Sequence, residues 1–274
     1  MHPLLYALGA IALWASLASL GLSLSHLPPF LLTGLALVIG SIPAWPLARQ
    51  WKVPPRTLAL GLFGLFGYHF LLFLALRLAP PVEANLVNYL WPLLIVVMAP
   101  MILPGTRLRA VHLAAALTGF AGAAVAIVGA STGLDGAWSW GYLPALAAAF
   151  AWSSYSLWTR RVPPFPTAAI GLFGLLSGLL ALACHWLLES PTLLSGRDWA
   201  LVAVMGLGPL GAAFFLWDKA LKLGDARQIG ILSYLTPLAS TLLLLLVSGR
   251  PLTPNIGLGG ALIIGAAVVG ARAR

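Results

Sequence analysis

The chain contains 274 residues, of which 61% are hydrophobic and only 8% are charged, and its mean hydropathy is +0.98. Soluble domains carry about 25% charged residues, so this chain cannot form a water-facing surface and requires a lipid bilayer as its solvent. The formal charge of +9 does not indicate nucleic-acid binding, because the basic residues lie in short loops instead of on one face. The single cysteine, Cys184, excludes a disulfide within one chain.

Apolar runs separated by Pro, Gly and charged residues predict ten transmembrane helices. A hydrocarbon core of about 30 Å requires roughly 20 apolar residues per helix, and the runs do not alternate like the strands of a barrel. The first run lacks the basic segment of a secretory signal, so we interpret it as a span. The predicted spans are 4–24, 29–48, 57–78, 82–102, 109–130, 139–160, 166–188, 198–222, 227–247 and 254–271. The chain is thus expected to be an all-α integral membrane protein.

The basic residues between these spans indicate an orientation, because cytoplasmic loops carry an excess of Lys and Arg. With the N-terminus in the cytoplasm, the residues that lie inside are Arg49, Lys52, Arg56, Arg107, Arg109, Arg160, Arg161, Lys219, Lys222, Arg227, Arg272 and Arg274. Those outside are Arg77, Arg197 and Arg250. The excess predicts that both the N and C termini are cytoplasmic.

A sequence repeat divides the chain into two halves. At an offset of 145 residues, Ala75–Leu78 aligns with Ala220–Leu223, and Tyr89–Leu93 aligns with Tyr234–Leu238. Matches of Leu and Ala alone could arise by chance between apolar segments, but here Tyr and Pro also stand in register in two ungapped blocks. Near the start of each half, the sequence Trp-Ala-Ser at 14–16 resembles Trp-Ser-Ser at 152–154.

The repeat predicts a transporter architecture. Each half would contain five helices, and because five is odd, the second half would enter the membrane in the opposite orientation. We therefore predict two inverted five-helix repeats, residues 1–132 and 133–274. Inverted repeats are common in secondary transporters, which bind their substrates near the midplane where the repeats meet.

The Trp-Ala-Ser start, the block ALRLAPPVEANLVNYLWPL and its second-half copy resemble the drug/metabolite transporter (DMT) superfamily, EamA type, over nearly the whole chain. This resemblance implies a fold of two inverted five-helix repeats. Within the superfamily, the histidine of YHF and the element NYLWP look like those of the YddG aromatic amino-acid exporters. The resemblance implies export of aromatic or other neutral amino acids across the bacterial inner (plasma) membrane.

The segment from Tyr68 to Pro92 supplies the first candidate substrate-binding residues, beginning with Tyr68 and His69. His69 lies near the middle of the third predicted span, where ionisable groups are usually functional. Either it contacts the substrate or it is a neutral residue that bonds a neighbouring helix. A proton-coupling role would require a second ionisable group within a span, and none is evident.

The fourth predicted span places Asn85, Asn88, Tyr89 and Trp91 on one broad face. Amides that face lipid are costly, so this face must meet protein or a water-filled cavity. Hydrogen bonding between helices is the alternative explanation, but four such residues within two turns favour the wall of a cavity.

Aromatic residues elsewhere extend the candidate site. Trp14 and Trp152 occupy equivalent positions in the two repeats and could stack against an apolar substrate side chain, and Tyr155 and Tyr234 are further candidates. By contrast, Trp217 lies close to a predicted cytoplasmic loop and fits the interfacial aromatic belt, as does Trp158.

Two prolines and one ion pair complete the motifs. Pro92 and Pro237 are predicted to kink their helices, because a proline inside a helix removes one hydrogen bond and frees a carbonyl one turn earlier. Asp218 and Lys222 have the i, i+4 spacing of an ion pair on a helix.

The inferred cavity contains aromatic and polar groups but no charged residue, which favours a small, neutral, amino-acid-like substrate. We expect export by alternating access, no enzymatic activity, no metal or cofactor, and a monomer in the lipid bilayer. An exporter of another small neutral metabolite or drug is an open alternative. A membrane-embedded enzyme would require a nucleophile with a base, or a metal cluster, and the five histidines are scattered.

Overall fold

The computed structural model describes residues 2–129, 138–248 and 253–272, and within these ranges the chain contains helices and no strands. The helices are α1 (Pro3–Ala15), α2 (Leu17–Ser23), α3 (Pro29–Ser41), α4 (Pro55–Leu62), α5 (Tyr68–Leu78), α6 (Pro81–Asn88), α7 (Trp91–Ile102), α8 (Ala110–Gly129), α9 (Tyr142–Trp158), α10 (Ala169–Leu188), α11 (Gly196–Leu207), α12 (Ala213–Leu223), α13 (Ala226–Leu232), α14 (Leu235–Ser248) and α15 (Pro254–Arg272). A 3₁₀ segment, Ile42–Gln50, follows α3. Two π-helical turns, Phe63–Gly67 and Gly208–Ala212, join α4 to α5 and α11 to α12.

The all-helical membrane fold predicted from composition is confirmed. Within the described ranges, nine helices or joined helices are long and apolar enough to cross a membrane. The remaining predicted span, 139–160, contains α9, which has 17 residues and is shorter than the roughly 20 that a bilayer requires. The count of ten spans therefore stays a prediction. The predicted boundary between residues 132 and 133 lies outside the described residues, as do Arg250 and Arg274.

Prolines mark where several helices begin. Pro3, Pro29, Pro55, Pro81 and Pro254 are each the first residue of a helix. The first backbone N–H groups of a helix have no intrahelical partner, and the fixed φ of proline suits the helix, so the ring is tolerated there. These residues separate the short loops from the helices without any loss of hydrogen bonds.

The bounds of the helices recur at the offset found in the sequence. The π-helical turn Phe63–Gly67 returns as Gly208–Ala212, 145 residues later. The following helix, α5 (Tyr68–Leu78), returns as α12 (Ala213–Leu223) at the same offset. Because π-helical turns are rare and common near functional sites, their paired occurrence links the sequence repeat to local backbone geometry.

Close helix contacts hold the assembly together. In the pair α8 and α15, a Cβ added to Gly122 would lie 2.8 Å from the carbonyl oxygen of Gly259, so only glycine permits this approach. Small residues allow helices in membranes to pack by van der Waals contact. At the first π-helical turn, Gly64 lies directly against the ring of Tyr155, and a Cβ at this position would overlap that ring. Helix α9 also packs against α5, α6 and α7, which brings its aromatic residues to the centre of the protein.

Candidate substrate-binding cavity

A cavity of about 620 Å³ lies among α1, α2, α3, α5, α6, α7, α9, α11, α12 and α14. Its size falls within the range of about 300–1,000 Å³ typical of small-molecule sites. Most of its wall is apolar, and a few polar side chains interrupt it, as expected for a site that fixes a ligand's orientation. Among the described residues that line it, none is Asp or Glu.

Eight of the ten candidate residues line this cavity: Trp14, Tyr68, His69, Asn85, Asn88, Tyr89, Trp91 and Trp152. The other two, Tyr155 and Tyr234, are not among the lining residues. Tyr155 packs against Trp152, with their ring centroids 5.4 Å apart. Tyr234 is fully buried against Gly119 and Phe120. The structure therefore places these two tyrosines in the packing around the cavity, while substrate binding by the other eight stays a prediction.

A cluster of tryptophans forms one end of the cavity. The ring centroid of Trp14 lies 6.4 Å from Trp91, 5.8 Å from Trp152 and 5.2 Å from Trp217. Aromatic rings at these separations attract one another. Trp217 is 1% exposed, and its indole N–H donates to the hydroxyl of Ser156 at 3.1 Å. The interpretation of Trp217 as an interfacial belt residue is therefore wrong, because its ring packs inside the protein. Trp158, at 45% exposure, lies on the surface.

Both π-helical turns contribute a backbone carbonyl to a ring of the cavity wall. The Nδ1 atom of His69 lies 2.6 Å from the carbonyl oxygen of Leu65. The indole N–H of Trp14 donates to the carbonyl of Pro209 at 3.1 Å. A carbonyl oxygen only accepts, so Nδ1 of His69 must carry a proton, and in the neutral ring Nε2 is then an acceptor. The π-helical turns therefore orient two of the side chains that line the cavity.

Helix breaks beside the cavity coincide with the two repeat blocks. Helix α6 ends at Asn88 and α7 begins at Trp91, so Pro92 lies in the first turn of α7. Pro237 lies likewise in the first turn of α14, which begins at Leu235. The prolines were expected inside continuous helices. They instead occupy positions where the missing N–H removes no intrahelical bond, and the chain turns just before them.

In the described part of the chain one charged residue, Arg77, lines the cavity, which corrects the expectation of a cavity without charge. Arg77 lies at its mouth together with Ser25 and Pro29, and all three are exposed, so the cavity opens at this end. Helix α12 ends near the start of α1, because the Nζ atom of Lys219 lies 5.5 Å from the ring of Tyr6. The mouth, beyond the C-terminal end of α2, is therefore at the opposite end of the protein from the end of α12.

The end away from the mouth is closed by polar contacts. The predicted ion pair is present, with Lys222 Nζ at 2.7 Å from Asp218 Oδ2. The Thr167 hydroxyl donates to the same oxygen at 2.6 Å, and Lys222 also donates to the carbonyl of Phe165 at 2.8 Å. We call these contacts the α12 seal. Because Thr167 and Phe165 lie between α9 and α10, the α12 seal ties three helices together.

A second ion pair lies just beyond the α12 seal, in the turn between α12 and α13. Arg227 Nη2 lies 2.5 Å from Asp225 Oδ2, and Arg227 also donates to the carbonyl of Arg107. Burial raises the pKa of the Asp225 carboxyl, but the hydrogen bonds from Arg227 outweigh burial and hold the pKa below its ordinary value. Among the described residues, no group of three or more His, Cys, Asp or Glu is placed to hold a metal ion.

Several lining residues were not anticipated from the sequence: Thr33, Arg77, Met205, Leu210, Phe214, Thr236 and Ser240. The repeat offset of 145 contained a signal for two of them. It relates Phe214 to His69 and Thr236 to Trp91, so the candidates of the first half had counterparts in the second. Apolar residues such as Met205 carried no signal, since nothing distinguishes them from the rest of the core.

The helices and the cavity define a multi-pass membrane protein of the transporter class. A family model described as the EamA-like transporter family matches residues 1–128 and 139–271. The chain belongs to the EamA-like transporter family and is a transporter, not an enzyme.

Two relatives and a solved structure are similar to this chain over nearly its whole length. The chain is 43% identical over 269 residues to the aromatic amino acid exporter YddG of Ancylobacter novellus, with 95% of this chain and 93% of the relative covered. It is 25% identical to the exporter of the same name from Escherichia coli, over 97% and 95% of the two chains. A solved crystal structure that is 41% identical matches with a TM-score of 0.90 over 97% of this chain and 96% of the other.

Proposed function

We propose that this protein exports aromatic and other neutral amino acids from the cytoplasm. The observation that carries the proposal is the cavity, whose closed end consists of Trp14, Trp91, Trp152 and Phe214 and whose described lining has no carboxylate. Indole and phenyl rings offer an apolar, polarisable surface that suits an aromatic side chain. The two relatives of similar sequence are named aromatic amino acid exporters.

In the proposed topology the chain crosses the membrane ten times, with α9 as the sixth span and both termini in the cytoplasm. The two halves form inverted five-helix repeats, which the recurrence of helix bounds at an offset of 145 supports. The excess of basic residues in one set of loops supports the orientation. The mouth near Arg77 then faces outward, and the α12 seal faces the cytoplasm.

The proposed mechanism is alternating access. The cavity open at Arg77 and closed at Lys222 corresponds to an outward-open state that releases its substrate. Rupture of the α12 seal, with closure of the mouth around Ser25 and Pro29, would expose the same tryptophans to the cytoplasm. The helix breaks at Asn88–Trp91 and Leu232–Leu235 allow the parts of each span to move separately. We propose that a monomer in the bacterial inner membrane carries out this cycle.

A counterflow assay tests the proposal. Purified protein is reconstituted into vesicles loaded with unlabelled phenylalanine, and uptake of labelled phenylalanine is measured against vesicles without protein. We expect saturable uptake that Trp152→Ala lowers at least about tenfold, because the truncation removes stacking and apolar contact worth roughly 1.5–3 kcal/mol. Trp158→Ala, six residues along α9 and at the surface, is the matched control and should retain uptake.

The same vesicles separate the alternatives. A panel of neutral amino acids and uncharged metabolites is used to compete with labelled phenylalanine. If no amino acid in the panel is taken up by wild-type protein, the proposed substrate class is wrong. If an uncharged metabolite without amino or carboxyl groups competes better than phenylalanine, the exporter of another neutral solute is the correct alternative.

A further inference from the structure

Two buried polar atoms in the cavity wall have no partner in the protein. Asn88 is 4% exposed and its Oδ1 atom makes no hydrogen bond, and Thr236 is 7% exposed and its Oγ1 atom makes none. Among the residues that line the cavity, these are the two in the described part of the chain with an unpartnered buried polar atom. Buried polar groups are almost always hydrogen-bonded, and because Asn88 and Thr236 line the cavity, a ligand there could supply the missing partners.

The neighbouring hydrogen bonds define what each atom can bind. The side-chain amide N–H of Asn88 donates to the Tyr68 hydroxyl at 3.2 Å, which leaves Oδ1 of Asn88 as an acceptor. Tyr68 receives that bond, so its own O–H proton remains available for donation. The backbone N–H of Thr236 donates to the carbonyl of Ser233 at 3.0 Å, and the hydroxyl group is left for a ligand.

The three groups match the head of an amino acid in charge and number. An ammonium group donates up to three hydrogen bonds and needs acceptors, whereas a carboxylate needs donors. Asn88 Oδ1 and Thr236 Oγ1 are acceptors, and the Tyr68 O–H is a donor. None of the three carries a charge, so an isolated cation or anion would have no opposite charge beside it, while a zwitterion carries its own.

The groups also come from both halves of the protein. Asn88 is the last residue of α6, immediately before one helix break, and Thr236 lies in the first turn of α14, immediately after the other. A ligand bonded to both therefore bridges the two segments that must move relative to each other during alternating access. This gives the head group a position between the halves, with its side chain free to reach the tryptophans.

We propose that Asn88, Thr236 and Tyr68 form a head-group subsite in which Asn88 and Thr236 accept hydrogen bonds from the substrate ammonium group and Tyr68 donates one to its carboxylate. The inference rests on the proposed function and deepens it, since it assigns the determinants that distinguish an amino acid from other aromatic solutes. It includes Thr236, the counterpart of Trp91 at the repeat offset of 145, which was not among the candidate residues from the sequence.

The test uses inhibition of labelled phenylalanine counterflow by three compounds. Phenylalanine carries both head groups, 2-phenylethylamine lacks the carboxylate, and 3-phenylpropionate lacks the ammonium group. Thr236→Val removes the hydroxyl while it keeps the shape, and loss of a hydrogen bond to a charged group predicts about a tenfold rise in the inhibition constants of phenylalanine and 2-phenylethylamine. The constant for 3-phenylpropionate should stay within about twofold of its wild-type value, because this compound makes no ammonium contact.

A matched control and two further variants complete the experiment. Thr57 is also buried with an unpartnered hydroxyl, but it lies in α4 and does not line the cavity, so Thr57→Val should change none of the constants. Tyr68→Phe should raise the constants of phenylalanine and 3-phenylpropionate and leave that of 2-phenylethylamine. Asn88→Asp should bind 2-phenylethylamine better relative to phenylalanine than wild type does. If Thr236→Val does not reach the membrane, this variant tests the subsite instead.

The possible outcomes distinguish failure of the proposed subsite from failure of the proposed export function. If wild-type protein transports phenylalanine and Thr236→Val changes all three constants equally or changes none, the subsite is wrong and the proposed function stands. An Asn88→Asp variant without a shift toward 2-phenylethylamine also contradicts it. If wild-type protein transports no amino acid, the proposed function itself fails.

Discussion

At the scale of single residues, His69 shows how backbone geometry fixes the role of a side chain inside a membrane. Its Nδ1 atom is held 2.6 Å from the Leu65 carbonyl, and the ring lines the cavity. This contact requires a proton on Nδ1, so the neutral ring presents Nε2 as an acceptor. The sequence alternatives were direct substrate contact and a bond to a neighbouring helix. The observed bond is instead to a carbonyl four residues earlier in the same span, and substrate contact stays a prediction.

The bond between His69 and Leu65 should contribute measurably to stability. We expect His69→Ala to lower the free energy of unfolding by about 1–3 kcal/mol, since it leaves the buried Leu65 carbonyl with one fewer donor. His69→Asn keeps a short side-chain N–H and should lose less. Thermal unfolding of the detergent-solubilised protein checks the order wild type, Asn, Ala, and an Ala variant as stable as wild type would contradict it.

Residue type alone identified eight residues of the cavity wall, but not the other lining residues, which form the greater part of it. Asn85, Asn88 and His69 could be recognised because polar groups at membrane depth need protein or water around them. Tyr155 and Tyr234 could not be separated from true wall residues, because a tyrosine ring packs equally well against a helix or a ligand. Whether such a ring faces a cavity depends on neighbouring helices that the sequence does not order in space.

At the scale of helices, the α12 seal determines which end of the cavity is closed. The Asp218 side chain is 1% exposed and the Lys222 side chain 24%, so the pair is largely removed from water. Removal of one partner from such a pair leaves a buried charge uncompensated and is strongly destabilising. The seal is therefore expected to weaken when either charge is removed alone, and the Thr167 hydroxyl adds a further hydrogen bond to Asp218.

Loss of the Lys222 charge should open the α12 seal. We expect Lys222→Gln to destabilise the closed end by about 2 kcal/mol, so that amide hydrogen exchange in 213–232 becomes at least about tenfold faster. Lys219→Gln is the matched control, since Lys219 is an exposed lysine three residues earlier on the same helix. Hydrogen-exchange mass spectrometry compares the two, and equal exchange rates in both variants would show that the ion pair does not hold the seal. The double variant Asp218→Asn/Lys222→Gln should recover part of the protection, because no charge is then left buried.

The sequence predicted the helices better than their interruptions. The spans followed from length and apolar composition, and nine of them are found in the described residues. The π-helical turns were not predicted, because one extra residue in a turn leaves the apolar pattern nearly unchanged. Their positions at Phe63–Gly67 and Gly208–Ala212 depend on close contacts, such as Gly64 against Tyr155, that exist only in the folded protein.

At the scale of the whole molecule, the open end of the cavity can be compared with the membrane orientation that the basic loops predict. The mouth lies beyond α2 at Ser25, and the α12 seal lies at the opposite end, near Tyr6. The excess of basic residues predicts that the loop after α2 lies outside the cell and the end of α12 inside. Together, the position of the mouth and the predicted topology lead us to propose an outward-facing mouth and a cytoplasmic seal.

Cysteine labelling in intact cells tests this direction. In a Cys184→Ser background, which removes the single native thiol, Ser25→Cys at the mouth should react with a membrane-impermeant maleimide added outside. Lys219→Cys, which is exposed at the opposite end, should react only after the cells are permeabilised, because its loop faces the cytoplasm. Added phenylalanine should slow the labelling of Ser25→Cys, because a bound substrate obstructs the mouth or favours the state in which it is closed. The opposite result would be labelling of Lys219→Cys in intact cells, with Ser25→Cys labelled only after permeabilisation. It would show that the orientation is reversed and that the cavity in this structure opens to the cytoplasm.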